Sequence, residues 1–300
     1  MTRKAPAPHP VPAANPQPQL ISARWLVLSI SLVLAAAAVC AWAALCLLFW
    51  QGSWQLLYHP SAGISRTPEA AGLDFESVAF APDNSGQPQL TAWWIPQGPA
   101  SPRTAIYLHG ADGNLSNTVE LLVRLHSAGL NIFAIDYRGF GKSAEIRPTE
   151  QTANADAVTA WAYLRNHQHL QIRNIVVYGQ GAGAAFAANL AMQRPVPALI
   201  LTQISPTAHA IFRQDPRARL LPLFLLANQH LNPAPDLNRL HIPKLFLDWP
   251  GKSSSTEAIT QQNYQLASPP KHLVSLPGPA PSAQLAALRA FLAQVLPPAH

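Results

Sequence analysis

The sequence predicts an α/β fold, a mostly parallel sheet with helices on both faces, preceded by one N-terminal helix apolar enough to cross a membrane. Three observations carry that reading. Strand-like apolar segments alternate with segments of helical period from Phe75 to the C-terminal end. The β-branched run Val176-Val177-Tyr178 passes straight into Gly179-Gln180-Gly181-Ala182-Gly183 and then into a small-residue helix. Residues 25–50 are apolar throughout, with Ser29 and Ser31 the only polar side chains.

The N-terminal part comes first. Charged residues make up only 11% of the chain, against about 25% in a typical soluble domain. The apolar segment explains part of that deficit, because it exceeds the roughly 20 residues a spanning helix needs. Trp25 and Trp50 bracket it, with Trp54 and Tyr58 just beyond, as interfacial aromatics do. Ala41-Trp42-Ala43 is a passable cleavage site for a signal peptide, but the apolar run is too long and Leu45-Cys46-Leu47-Leu48-Phe49-Trp50 follows it. An uncleaved anchor is therefore expected at 25–50. Residues 1–24 form a proline-rich tail, expected to be disordered. Arg3, Lys4 and Arg24 precede the anchor, and no Lys or Arg follows it until Arg66. This bias predicts a cytoplasmic N-terminus and a main domain, 51–300, on the outer side of a cytoplasmic membrane. Cys40 and Cys46 both lie in the anchor, so no disulfide is expected in the domain. The net charge of +6 carries no basic blocks, and nucleic-acid binding has no support.

Along the domain, Phe75–Ala81 and Gln89–Ile95 flank the turn cluster Asp83-Asn84-Ser85-Gly86 and predict a hairpin. Thr104–His109 is a strand, followed by a helix with Asn117 and Glu120 as its capping box and Leu121, Leu122 and Leu125 on one face. Asn131–Asp136 is the next strand. A helix over 152–167 presents Ala155, Val158, Trp161 and Leu164. The strand Asn174–Tyr178 feeds the glycine turn, and a helix over 182–193 leaves it. After the strand Ala198–Thr202, residues 209–231 break the rhythm as an inserted helical segment with Arg213, Arg217 and Arg219. Lys244–Asp248 and His272–Leu276 are strands, separated by a helix over 256–266. A final helix carries Leu285, Leu288, Leu292 and Val295.

A strand, a glycine turn and a helix are the setting in which a nucleophile elbow, Gly-x-Ser-x-Gly, is built. Other stretches agree: Leu56-Leu57-Tyr58-His59-Pro60, Leu90-Thr91-Ala92-Trp93-Trp94-Ile95-Pro96, His109-Gly110-Ala111-Asp112-Gly113-Asn114, and above all Asp136-Tyr137-Arg138-Gly139-Phe140-Gly141-Lys142-Ser143. In this order they resemble the α/β-hydrolase superfamily, in its membrane-anchored, serine-aminopeptidase-like abhydrolase branch. The resemblance implies an α/β-hydrolase fold and a Ser–Asp–His triad. At the three positions where the triad is expected, this chain has Gly181, Lys252 and Pro281. A hydroxyl nucleophile needs a base, and the base needs an orienting acid. A non-catalytic protein is therefore expected, with a displaced triad in a working serine hydrolase as the alternative. The resemblance further implies an oxyanion-type notch formed around His109, Gly110, Ala111, Asp112, Gln180 and Ala182, able to take an acyl or peptide-like ligand. The competing explanation is that turn geometry alone requires Gly110, Gly113, Gly179 and Gly183. A plain scaffold would instead fill the notch beside Gly181 with large side chains.

Other residues point elsewhere. His109 is expected to be structural, Asp112 solvated, and Ser205 a turn residue rather than a displaced nucleophile. Asp136, Arg138, Lys142 and Ser143 are expected to hold their loop together. The histidines show no metal-ligand spacing, and no cofactor is expected. The glycine turn lacks the last glycine and the later acid of a dinucleotide loop. The expected partners are the bilayer through residues 25–50, another membrane or periplasmic protein, and the notch ligand.

Overall fold

A computed structural model of the protein describes residues 22–98, 102–248, 254–275 and 281–297. The chain divides into two compact units, Met1–Leu48 and Phe49–His300. The first contains most of helix α1 (Ala23–Gly52), none of whose residues is buried. Its most apolar 18-residue stretch has a mean hydropathy of 2.6, and with its continuation to Leu56 the helix is long and apolar enough to cross a membrane.

The second unit is built on an eight-stranded sheet. Its strands are β2 (Glu76–Pro82), β3 (Pro88–Ile95), β4 (Thr104–Leu108), β6 (Asn131–Asp136), β7 (Ile175–Gln180), β8 (Leu199–Thr202), β9 (Lys244–Asp248) and β10 (Lys271–Ser275). Their spatial order is β10-β9-β8-β7-β4-β6-β3-β2. All pairs are parallel except β2–β3 and β3–β6. A separate two-residue parallel ladder joins β1 (His59–Pro60) to β5 (Asp112–Gly113). The expected hairpin is present, and the Asp83 carboxylate closes it by accepting from the Ser85 and Gln87 amides.

Period-two alternation assigns the residues of each strand to the two faces. On β4, Ile106 and Leu108 belong to one core, Ala105 and Tyr107 to the other. The first core lies under α3 (Glu150–Asn166), α4 (Gly183–Gln193), α7 (Ala234–Arg239) and α8 (Ser254–Leu266). The second lies under α2 (Val119–Ser127) and α9 (Pro281–Val295). The expected insertion is a run of short helices, α5 (Ala208–Phe212), a 3-10 turn over Pro216–Leu220, and α6 (Leu223–Leu226).

Two helix details differ from expectation. The capping box is Asn114 with Asn117, opening a 3-10 turn before α2, whereas Thr118 at the N-cap of α2 makes no side-chain cap. On α3 the buried residues are Ala153, Asp156, Ala157, Ala160 and Leu164, and Ala155 is exposed. Alanines face the core because α4, itself rich in alanine, packs close against them.

Candidate functional site

The loop after β4 and the turn after β7 meet at the C-terminal edge of the sheet. β4 lies between β6 and β7, so the crossovers that follow it leave in opposite directions. Open α/β sheets bind ligands at such switch points.

The three glycines of the elbow have two different causes. A Cβ on Gly183 would lie 2.1 Å from Leu108 O, and one on Gly179 would lie 2.7 Å from the Ala184 Cα. Those two let α4 pack tightly on the sheet. Gly181 instead has a φ of +60°, the left-handed conformation that L-residues avoid. A Cβ on it would meet the Ser205 Oγ at 3.2 Å and the Gly110 Cα at 3.3 Å. Apart from its two chain neighbours, nothing else among the described residues comes within 4 Å of that Cβ. Gly110 is not required by sterics. A Cβ there would make only ordinary contacts, 3.8 Å to Gln180 O and 4.0 Å to the Gly181 Cα.

The other expected site residues take several directions. The His109 ring is 1% exposed. Its Nδ1 lies 2.7 Å from Gly110 O, and its Nε2 lies 3.4 Å from an Asp136 carboxylate oxygen. Tyr137 and Phe140 pack on the ring, and Tyr137 Oη donates to His109 O. The expectation that His109 borders the notch is corrected for its side chain, which aromatic packing and the Asp136 charge hold inside the protein. Asp112 is exposed and pairs at 2.7 Å with His59, which β1–β5 pairing sets opposite it. Gln180 is committed on both sides: Oε1 accepts from Tyr107 Oη, and Nε2 donates to Gln203 Oε1 at 2.7 Å. Gln203 reaches this position with a φ of +49°, an uncommon conformation for its type. Lys252 lies outside the described residues. Pro281 is the first residue of α9, and its side chain lies outside them too.

The Asp136–Ser143 loop is cross-braced. Ser143 Oγ donates to Asp136 O at 2.6 Å and accepts from the Thr91 amide. Arg138 donates twice to Asp156, through its amide at 2.9 Å and its Nε at 2.7 Å. Burial raises the Asp156 pKa above the ordinary carboxylate range, and Arg138 opposes that shift. Burial likewise raises the Tyr107 and Tyr178 phenols, and the neutral Tyr107 hydroxyl is the one that donates to Gln180. Among the described residues, no group of three or more His, Cys, Asp and Glu is placed to hold a metal ion.

Ser205 is the residue whose place in the sequence pointed elsewhere. Parallel pairing of Gln180 with Thr202 puts the end of β8 beside the elbow, and Ser205 follows there. Strand order, which a sequence does not display, brings the two together.

Comparison with known proteins agrees with this architecture. A family described as alpha/beta hydrolase fold matches residues 106–229. An uncharacterized protein of Mycobacterium tuberculosis is 29% identical over 233 residues, covering 77% of this chain and 81% of that protein. Protein bem46 of Schizosaccharomyces pombe is 32% identical over 138 residues, 45% of this chain and 46% of its own. Among solved structures, an esterase of Pyrococcus furiosus superposes with a TM-score of 0.60 at 17% identity, covering 80% of this chain and 99% of that one. At that identity the likeness speaks for the fold alone.

Proposed function

Because the chain belongs to the α/β-hydrolase superfamily, we propose that it is a membrane-tethered, non-catalytic member that binds a carbonyl or carboxylate group beside its elbow. Gly181 is the observation that carries this reading. It occupies the nucleophile position in the left-handed conformation, with Ser205 and Gly110 closing on the space a side chain would need. The donors proposed for the ligand oxygen are the Ala111 and Ala182 amides, aided by the positive N-terminal end of α4. An acyl or peptide-like ligand fits that donor pair. Residues 25–50 are the proposed tether, with the N-terminus cytoplasmic and the domain outside, where another membrane protein is a further partner class.

The first test is labelling of the purified full-length protein with a fluorophosphonate probe. No heat-sensitive labelling is expected, and stoichiometric labelling overturns the non-catalytic reading. The second test is binding of a medium-chain fatty acid, measured by calorimetry. Gly110→Val, whose Cβ has room, is expected to abolish that binding without unfolding the domain.

A second reading, a working hydrolase, is favoured by one contact. The Ser205 hydroxyl lies 3.2 Å from where a nucleophile Cβ would start. Against it, both His109 nitrogens face other groups, Gly110 O and Asp136. Fluorophosphonate labelling that disappears in Ser205→Ala would establish this reading with Ser205 as nucleophile, and labelling that survives it would sink the non-catalytic reading and place the nucleophile elsewhere.

A further inference from the structure

The most exposed large apolar side chains of the folded domain gather on one segment. Phe224 is 84% exposed and Leu225 70%, on the four-residue helix α6. A soluble surface tolerates single apolar residues, and adjacent ones at this exposure mark a contact surface. The segment from Ala208 to Leu231 is also basic, with Arg213, Arg217, Arg219, His209 and His230 against the single acid Asp215. Arg217 is spent on Asp215, its guanidinium 2.7 Å from the carboxylate. Arg213 and Arg219 are exposed and, with His209, line a cavity of about 560 Å³ whose other walls include Leu221, Leu223 and Phe224.

Both ends of this segment are pinned at the place where α1 ends. At its start, the Phe212 ring meets the Phe49 ring edge-on at 5.4 Å, and Phe49 lies in the last turn of α1. At its end, the amides of His230 and Leu231 donate to the Glu150 carboxylate, and Gln229 Oε1 accepts from the Glu150 amide. The chain just before Glu150 reaches the same point, since Arg147 donates to Trp50 O and stacks over Trp54. Its neighbour Ile146 is a further exposed apolar residue, and Glu145 is the exposed acid beside it.

Apolar tips flanked by arginines are the composition of interfacial segments, where rings enter the headgroup boundary and guanidinium groups meet phosphates. We infer that the Arg213–Leu226 segment lies on the surface of the bilayer that holds the anchor. Phe224 and Leu225 enter the boundary of the acyl chains, and Arg213 and Arg219 bind the phosphates of acidic phospholipids. This rests on the reading of residues 25–50 as a tether.

The experiment uses full-length protein in vesicles of phosphatidylcholine with phosphatidylglycerol. An environment-sensitive dye is placed on Phe224→Cys in a Cys40→Ala, Cys46→Ala background. The reference is the same dye on Asn84→Cys, at the exposed turn of the β2–β3 hairpin. Flotation with the vesicles tests the tether separately. The expected result is at least about threefold weaker iodide quenching at 224 than at 84, with strong quenching at 224 by brominated lipid. Arg213→Glu with Arg219→Glu is expected to return iodide quenching at 224 toward the reference. A floating protein whose two labels quench alike overturns the inference and leaves the tether standing. Shielding from iodide without quenching by brominated lipid means that another copy of the chain covers the segment, and also overturns it. A protein that does not float overturns both readings.

Discussion

At residue 181 two constraints act together, a left-handed backbone and two close neighbours. A side chain in the left-handed region costs about 1–2 kcal/mol. The contacts at 3.2 and 3.3 Å also require Ser205 or the Gly110 backbone to give way. Gly181→Ser is therefore expected to lower stability by about 1–2 kcal/mol in a denaturant melt and to produce no ester hydrolysis. A stable variant that hydrolyses a chromogenic ester would refute that expectation. Asp136 is a different case, because it is buried under the loop it braces. It accepts from the Leu115 amide at 3.1 Å and lies 3.4 Å from the His109 Nε2. At that separation the His109 contact is electrostatic rather than a well-formed hydrogen bond. Asp136→Ala leaves the Leu115 amide buried without its partner. The expected loss is about 1–3 kcal/mol, read from chemical denaturation. The glycine at 181 was legible in the sequence because it interrupts a motif. The Ser205 contact was not, because it joins the ends of two strands separated by a helix.

At the scale of elements, the strands were more legible than the helix faces. Apolar runs such as Asn131–Asp136 and Lys244–Asp248 are bounded as their residues predict, because strands buried on both faces need continuous hydrophobicity. On α3 the pattern misled, since Asp156 counts as polar until Arg138 is seen to pair with it. The lysines that open β9 and β10 show a further device. Lys244 Nζ donates to Leu240 O and Ile242 O beyond α7, and Lys271 Nζ donates to three carbonyls at the end of α8. Lys271 satisfies carbonyls that the end of α8 leaves unpaired, and Lys244 those of the loop that follows α7. Burial, with Lys271 as a neighbouring charge, lowers the Lys244 pKa from 10.5 to about 8. Two N–H donors suffice for its two carbonyls, so the neutral amine fits its site. Between those two values the unfolded chain binds the extra proton, so this group makes stability rise with pH from about 8 toward 10.5. Above about 10 the buried tyrosines act oppositely, because their raised pKa values favour the folded state only until the unfolded phenols ionise. Melts of the protein and of Lys244→Met across pH 8–10 check this. The variant is expected to lose the upward slope in that window whatever its absolute stability.

At the scale of the whole molecule, the border of the folded domain falls inside a helix. The apolar segment was readable from composition, but its last turn belongs to the domain. Phe49 packs on Phe212, Trp54 lies under Arg147, and Leu56 adds to the same core. Composition could not separate these residues from those before them, because a bilayer and a protein core select the same side chains. Where the chain is cut should therefore matter sharply. A protein beginning at Phe49 keeps all contacts internal to the second unit. One beginning at Leu57 loses three partly buried apolar side chains, worth together about 3 kcal/mol. For a domain of this size that corresponds to a drop of roughly 6–12 °C in melting temperature. Both truncations, melted in the same mild detergent as the full-length protein, decide the point. The first is expected to melt within a few degrees of the full-length chain, and the second well below it. Equal melting of the two truncations would show that the domain begins only after Leu56, and that the Phe49 and Trp54 contacts contribute nothing to its stability.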